Sequence, residues 1–374
     1  MSADVVDRPA ADGPTPVRRL AASPLRMGPA SWLVPVRAGL VTVVAVLVLA
    51  LLVVVDLSVG DFSIPFGVVV ETLLAGGDPG QQFIVRELRL PQTVVALLAG
   101  ASLGLAGALC QTFARNPLAS PDILGVTRGA SFAAVAVIVL AGGSGYNGGL
   151  VTGRLQQVGL PLAAFAGGML AAAFLYLMSV RRGGLDSQRL VLIGIGLGAA
   201  LTAATSWLLT RARIMDAQSA QVWLNGSLNG RGWEQALPMA AVLAVMLPVS
   251  LVLVRSLNAM QLGDDAARGL GVRLQGTQVM VLVCAVALSS VAVAGVGPLE
   301  FVAFVVPQVA LRLTGGSRPP LVAAMVLGGI LVVGADIITR AVLPFALPAG
   351  IVTAVIGAPY LIWLLVRTNR RKSA

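Results

Sequence analysis

The sequence predicts an all-α polytopic membrane protein with about ten transmembrane helices. Hydrophobic residues make up 57% of its 374 residues, charged residues make up only 11%, and the mean hydropathy is +0.90. A soluble domain carries about 25% charged residues, so a water-soluble fold is excluded. Because a helix needs about 20 apolar residues to cross the hydrocarbon, the chain can supply many spans but little extramembrane domain.

The chain divides into a short tail and one membrane domain. Residues 1–30 are rich in Pro, Ala, Asp and Arg and lack a long apolar run, which predicts a disordered cytoplasmic tail and not a secretory signal. Residues 31–374 are predicted to form a single transmembrane domain. Its apolar stretches are, in order, 38–56, 92–112, 122–141, 157–179, 188–210, 236–255, 277–295, 298–313, 320–340 and 349–366.

Positive charge predicts the orientation of these spans. With an even number of spans both termini share a side, and with the N-terminus inside, 19 of the 26 lysine and arginine residues are also inside. The outer residues are then Arg86, Arg89, Arg154, Arg211, Arg213, Arg231 and Arg340. The positive-inside rule therefore predicts cytoplasmic termini. The net charge of +10 marks topology, and no nucleic-acid partner is predicted, because the arginines flank apolar runs and form no basic face.

Several chemistries are disfavoured by composition. Cys110 and Cys284 lie in apolar segments without metal-type spacing, so neither a disulfide framework nor a thiolate metal site is predicted. The chain has no histidine, which disfavours a haem or zinc enzyme. It also lacks a phosphate-binding G-x-x-x-x-G-K-[ST] loop, so ATP hydrolysis by this chain itself is not expected.

Glycine and proline inside the spans predict close packing and one broken helix. Gly100, Gly104 and Gly107 recur within one span, and small residues let helix backbones approach closely in a membrane. Pro298 and Pro307 predict a short, broken span near 298–313, since an interior proline removes a helix hydrogen bond. Broken spans usually line a cavity.

Three groups of residues are not explained by membrane crossing alone. The first comprises 86–91, which ends in Arg-Leu-Pro, and 111–125, which contains Asn-Pro-Leu-Ala-Ser-Pro-Asp-Ile-Leu-Gly. The second is the loop 257–272 between the sixth and seventh spans, with two Leu-Gly pairs around three charged residues. The third runs from Gly-Pro at 297–298 to Asp336, Arg340 and the Leu-Pro-Ala-Gly at 347–350.

In these ordered motifs the sequence resembles the FecCD family of binding-protein-dependent ABC permeases, which includes cobalamin and ferric-siderophore importers. The resemblance covers about 85–374 and implies a type II ABC importer permease with ten helices per subunit. It implies as partners a second permease, identical or paralogous, two cytoplasmic ABC ATPase subunits and an external substrate-binding protein in a bacterial cytoplasmic membrane. ATP and Mg would bind the ATPase subunits, and no cofactor would bind this chain. The expected cargo is a ferric-siderophore, with cobalamin or haem as the alternatives.

The resemblance also implies roles for individual residues. In the loop 257–272, two short coupling helices would meet the ATPase through Leu262, Gly263, Asp265, Ala266, Leu270 and Gly271. The outer arginines Arg86, Arg89 and Arg340 would receive acidic residues of the binding protein, although Arg340 also lies four residues after Asp336 and can form a local helix pair instead. Asn116, Leu118, Ser187 and Gln188 would form the cytoplasmic gate, with a plain turn equally open at the last two.

The sequence departs from the family pattern at three positions. Glu300 replaces a small or apolar residue and is expected at the outer mouth of the translocation path, where it should pair or face water. Pro307-Gln308 stands where Pro-His is frequent and is associated with siderophore permeases. Ala346 replaces an acidic residue that would contribute to docking.

An ion-coupled secondary transporter is the alternative from another class. Such a protein is expected to carry coupling carboxylates near the membrane midplane. The acids within or near spans are Asp56, Asp122, Glu300 and Asp336, and most lie close to span ends, which favours the importer. An intramembrane enzyme is disfavoured because no nucleophile and base can be paired.

Overall fold

The computed structural model describes residues 22–27, 30–60, 62–74, 76, 78–140, 154–181, 184–185, 187–342 and 347–370. Its helices are α1 (Val36–Ser58), α2 (Phe66–Leu74), α3 (Pro79–Gln82), α4 (Leu90–Ala114), α5 (Val126–Leu140), α6 (Arg154–Ser179), α7 (Ser187–Arg211), α8 (Ile214–Leu224), α9 (Trp233–Met260), α10 (Asp264–Gly269), α11 (Leu274–Val296), α12 (Val302–Thr314), α13 (Leu321–Ile337) and α14 (Ala349–Arg370). The π-helical stretches Phe83–Arg89 and Ile338–Val342 join α3 to α4 and extend α13. Two short antiparallel pairs complete the described elements, β1 (Ala22–Met27) with β2 (Ala30–Pro35) and β3 (Val180–Arg181) with β4 (Gly184–Leu185).

The predicted spans are confirmed as helices. Seven helical segments are long and apolar enough to cross a membrane, and three shorter apolar helices, Val126–Leu140, Val302–Thr314 and Ala349–Leu364, fall on the third, eighth and tenth predicted stretches. The short eighth span follows from the turn at 297–301, after which only 13 residues remain helical before Gly315. Pro307 lies inside α12.

Some elements lie outside the predicted pattern. α2, α3, α8 and α10 are too short to appear as apolar stretches of spanning length. Of the segment predicted as a disordered tail, 22–27 and residue 30 form strands of the first hairpin, and the others lie outside the described residues. The position of Ala346 also lies outside the described residues.

α4 and α11 form the centre of the protein. In each, 83% of an apolar stretch of 18 residues is buried inside the protein, whereas the corresponding fraction is 6% in α1 and 17% in α7 and α9. α4 packs against α9, α11, α12 and α13, and α5 packs against α6 and α7. The exposed helices α1, α7 and α9 therefore face lipid or partner chains, and α4 and α11 form the buried core on which the other helices pack.

Glycines allow the close helix contacts around α4, as predicted. A Cβ on Gly100 would overlap the backbone oxygen of Gly328 in α13, and a Cβ on Gly328 would overlap that of Gly100. A Cβ on Gly107 would likewise overlap the backbone oxygen of Ala303 in α12. At these points the helix axes approach so closely that only hydrogen fits between the backbones.

We expect Gly328→Ala to destabilise the protein by about 1–3 kcal/mol, because the added methyl group forces α4 and α13 apart. Gly334→Ala in the same helix is the matched control, since no atom lies within 4 Å of its Cβ position. Thermal unfolding of the detergent-solubilised protein measures both. Equal midpoints for the two variants would contradict the close contact.

Candidate translocation cavity and partner surfaces

A cavity of about 810 Å³ lies between residues 118–123, α5, α7, α8, residues 298–304 and α14. Its wall includes Leu118, which the predicted topology places on the inner side, and Leu209 and Gln221, which it places on the outer side. The cavity therefore extends through much of the membrane depth. Its volume is in the range of about 300–1,000 Å³ that is usual for small-molecule sites, so it is large enough for a chelate and far larger than a bare ion requires.

Glu300 lies in the wall of this cavity and pairs with Arg128 of α5. The carboxylate and guanidinium are 3.5 Å apart, and both side chains are about half exposed to the cavity. The sequence predicts Glu300 at the outer mouth of the path and Arg128 on the inner side, whereas the structure brings the two side chains into contact. The 13 residues of α12, which follow Glu300, span only about 20 Å, less than the bilayer core of about 30 Å, so the two predicted positions need not be a full bilayer thickness apart.

A tight backbone turn positions Glu300. Gly297 and Phe301 on either side of it have φ angles of 78° and 65°, both left-handed. For Phe301 this conformation costs roughly 1–2 kcal/mol, so the surrounding contacts must hold it. Ser227 N donates to Val296 O at 2.8 Å just before the turn.

Glycines of two other segments support the same turn. Gly226 (φ 66°) follows α8, and a Cβ there would overlap Pro298 O. Gly350 at the start of α14 donates its N–H to Gly226 O at 3.1 Å, and its own Cβ position meets Asn225 O. Sequence reasoning missed this contact of Gly226 and Gly350 with the turn at 297–301. The isolated Gly226 after a polar stretch is nevertheless a usable signal for it.

The predicted gate residues lie in two segments, of which one reaches the cavity. Asn116 Oδ1 accepts a hydrogen bond from Leu118 N at 2.9 Å, which forms a turn after α4, and Leu118 lines the cavity. Arg115, before this turn, has a φ of 49° and ends α4 in a left-handed conformation. Ser187 and Gln188 are the first residues of α7, and their side chains are outside the described part of the structure.

Gln308 has a structural contact and does not line the cavity. Its Nε2 donates to Gln111 Oε1 at 2.7 Å, and Gln111 Nε2 donates to Phe304 O at 2.9 Å. Both glutamines are almost fully buried. The pair ties α4 to α12, and the Pro307-Gln308 motif is therefore explained by buried hydrogen bonding without reference to a cargo.

The predicted coupling segment contains a short helix between two glycines, on the side that the predicted topology places inside. α10 is a helix of six residues that begins after Gly263 (φ 104°) and is followed by Gly271 (φ 80°). Ala267 is fully buried against the rest of the protein, whereas Leu262 and Leu270 are 69% and 65% exposed. Two leucines, one on each side of the short helix, therefore present apolar side chains at the surface of the chain.

Polar contacts fix this segment to the end of α4. Arg115 and Asp264 form an ion pair at 2.5 Å, and Gln261 Nε2 donates to Thr112 O at 2.8 Å. Asp265 pairs with Arg268 at 2.7 Å within α10 and is otherwise exposed, as is Ala266. Both ion pairs are exposed and are worth about 0–1 kcal/mol each. The segment is thus connected to the helix that leads into the predicted gate.

Two of the predicted docking arginines hold the ends of other helices. Arg86 donates to Thr72 O at 2.7 Å and to Leu73 O at 3.3 Å, at the last turn of α2. Arg89 is only 8% exposed and donates to Leu57 O at 2.8 Å, at the last turn of α1. A cation stabilises a helix C-terminus because unpaired carbonyl groups are concentrated there.

Arg340 joins two buried carboxylates. Its Nη2 forms ion pairs with Asp56 of α1 and with Asp336 of α13, the second at 2.6 Å. Asp56 also accepts from Thr93 Oγ1 at 2.5 Å, and Asp336 accepts from Gln92 Nε2 at 3.1 Å. The local pair with Asp336 that the spacing allows is therefore present, and the partner in α1 was missed because it lies 284 residues away.

Among the described residues, no group of three or more His, Cys, Asp or Glu side chains is placed to hold a metal ion. Cys110 and Cys284 are both buried and free.

The chain is similar to transport proteins along most of its length. The profile described as the FecCD transport family matches residues 47–367. The ferric enterobactin transport system permease protein FepG of Escherichia coli (strain K12) is 35% identical over 314 residues, which cover 84% of this chain and 91% of that protein. The Fe(3+)-citrate import system permease protein YfmE of Bacillus subtilis (strain 168) is 38% identical over 340 residues, which cover 90% and 97%.

A solved structure shares the fold. It is described as an inward-facing conformation of an ABC transporter assigned to the metal-chelate type. It superposes with a TM-score of 0.75 at 27% identity, over 88% of this chain and 99% of that one.

Proposed function

The chain belongs to the FecCD transport family, and on this premise we propose that it is the transmembrane permease subunit of a binding-protein-dependent ABC importer for a ferric-siderophore. The observation that carries the proposal is the cavity of about 810 Å³, whose wall contains residues from both predicted sides of the membrane. Such a cavity suits passage of a whole chelate. The relatives are named for more than one iron chelate, which supports the siderophore class over cobalamin or haem without choosing a member of it.

The energy for transport comes from separate subunits in this proposal. Two cytoplasmic ATPases bind ATP and Mg, and each permease presents the loop 257–272 to one of them. The exposed Leu262 and Leu270, with Gly263, Asp265, Ala266 and Gly271 around them, support a docking role because the two leucine side chains are apolar and lie at the surface of the chain. The contacts of Asp264 and Gln261 with Arg115 and Thr112 at the end of α4 give a mechanical connection to Asn116 and Leu118. Movement of the loop then changes access to the cavity.

A second permease subunit, identical or paralogous, completes the path. α7 and α14 support this, since both line the cavity and both carry exposed apolar residues, among them Ile195, Trp207, Val355 and Trp363. The orientation in the bacterial cytoplasmic membrane has both termini in the cytoplasm, as the arginine distribution favours.

The external binding protein docks on the outer side, around α2 and the Phe83–Arg89 stretch. Arg86 is partly exposed there and can meet an acidic partner. Arg89 and Arg340 contribute chiefly by holding α1, α4 and α13 in place, because their guanidinium groups already have partners inside the protein. Exposed pairs of this kind mainly affect orientation and association rate.

Uptake by cells tests the proposed function. A strain that lacks this chain should fail to grow when a single ferric-siderophore is its iron source, and the wild-type gene should restore growth. Co-purification of the complex and mass spectrometry of its subunits should find an ABC ATPase. Unimpaired growth of the deletion strain on every ferric chelate that supports the parent would overturn the proposal.

A further inference from the structure

The charged residues that line the cavity are two acids and one base. Among the described lining residues these are Asp122, Glu300 and Arg128. Arg128 pairs with Glu300 at 3.5 Å, and Asp122 accepts a hydrogen bond from Thr127 Oγ1 at 2.5 Å. With both carboxylates ionised, the described wall carries a net charge of minus one, and its negative field acts on a cargo inside the cavity.

Three threonines of the wall also present hydrogen-bond acceptors to the cavity. Thr202 Oγ1 donates to Gly198 O and Thr205 Oγ1 donates to Leu201 O, each at 2.8 Å within α7. Thr127 donates to Asp122. A hydroxyl has one hydrogen and two lone pairs, so each of these threonines uses its donor inside the protein and has only acceptor capacity left. These three threonines therefore offer acceptors to a cargo, beside the two carboxylates.

We infer that the cavity selects ferric chelates that are neutral or cationic and carry hydrogen-bond donors, and that it disfavours multiply anionic chelates. This rests on the proposed function and specifies its cargo. A tris-hydroxamate complex of Fe³⁺ is neutral, and a free ammonium group makes it cationic, whereas a tris-catecholate complex is trianionic. Amide, hydroxyl or ammonium groups of the first class match the acceptors of the wall, and the excess charge of the second class is repelled by the carboxylates.

Binding to the complete transporter complex in nanodiscs, without the external binding protein, tests this selection. The probes are a neutral ferric tris-hydroxamate and a trianionic ferric tris-catecholate of similar size, measured by equilibrium dialysis of radioactive iron. We expect the neutral chelate to bind about tenfold tighter. The ratio of the two dissociation constants, trianionic over neutral, should fall about threefold or more in Glu300→Gln. In Arg128→Gln the same ratio should rise by a similar factor, because the two changes shift the wall charge in opposite directions.

Glu234→Gln is the matched control, since it removes an exposed carboxylate of α9 that does not line the cavity. Its ratio of dissociation constants for the two chelates should equal that of the wild type. Equal or tighter binding of the trianionic chelate would overturn the inference, as would binding of neither probe, or a ratio that the Glu300 and Arg128 variants leave unchanged. ATP-dependent uptake of iron chelates in proteoliposomes of the same preparation reports separately on the proposed function, which can hold even when the charge selection fails.

Discussion

Replacing Arg340 with alanine is expected to destabilise the folded protein by about 3–5 kcal/mol, because two buried carboxylates lose their shared cation. Asp56 and Asp336 are almost completely buried, and Arg340 itself is only 17% exposed, so water cannot replace the guanidinium. Since α1 and α13 meet α4 at this network, the variant should yield little complex of normal size. Fluorescence-detected size-exclusion chromatography and thermal unfolding in detergent provide the measurement.

Two companion variants identify the cause. Arg213→Ala removes an exposed arginine on the same predicted side and should behave as wild type. The double variant Arg340→Gln/Asp336→Asn removes one charge of each sign and should recover part of the lost stability. If Arg340→Ala folds normally and loses only its binding protein, Arg340 is a docking residue and the buried network is not essential.

A double replacement of Leu262 and Leu270 by aspartate is expected to abolish transport, to less than about a tenth of wild type, with the membrane domain intact. Both side chains are exposed, so their loss costs little folding energy. Apolar residues at the centre of an interface often contribute about 2 kcal/mol or more each, and a buried carboxylate adds a desolvation cost. The ATPase subunits should therefore separate from the permease during purification.

Subunit stoichiometry after affinity purification measures this directly. Ile214→Asp is the control, since Ile214 is 78% exposed on the predicted outer side and belongs to none of the proposed contacts. Retention of both ATPase subunits by the aspartate variant would show that α10 is not the docking element.

The positions of the predicted spans along the chain could be found because spanning length and hydropathy are properties of local sequence. All ten stretches are helices, and the short span beginning at Val302 follows from Gly297 and Pro298. The elements missed are short or irregular ones, such as α8 and the π-helical Phe83–Arg89, which have no apolar run of spanning length of their own.

The candidate site was only partly predictable. The exposed leucines around α10 agree with the family motif, and Glu300 was identified as a carboxylate that needs a partner. Its partner Arg128 and the partner of Arg340 in α1 could not be inferred, because these pairs join residues far apart in the chain. The cavity combines residues of six segments, and a sequence does not reveal which faces of its helices meet.

The central claim is that separate ATPases drive this permease through the loop 257–272, and reconstituted transport tests it most directly. Proteoliposomes that contain both permeases and the external binding protein are loaded with ATP and Mg, with or without the ATPase subunits, and accumulation of radioactive ferric chelate is measured. We expect accumulation against a gradient only when the ATPase subunits are present. Equal accumulation without them would contradict the claim and favour an ion-coupled carrier.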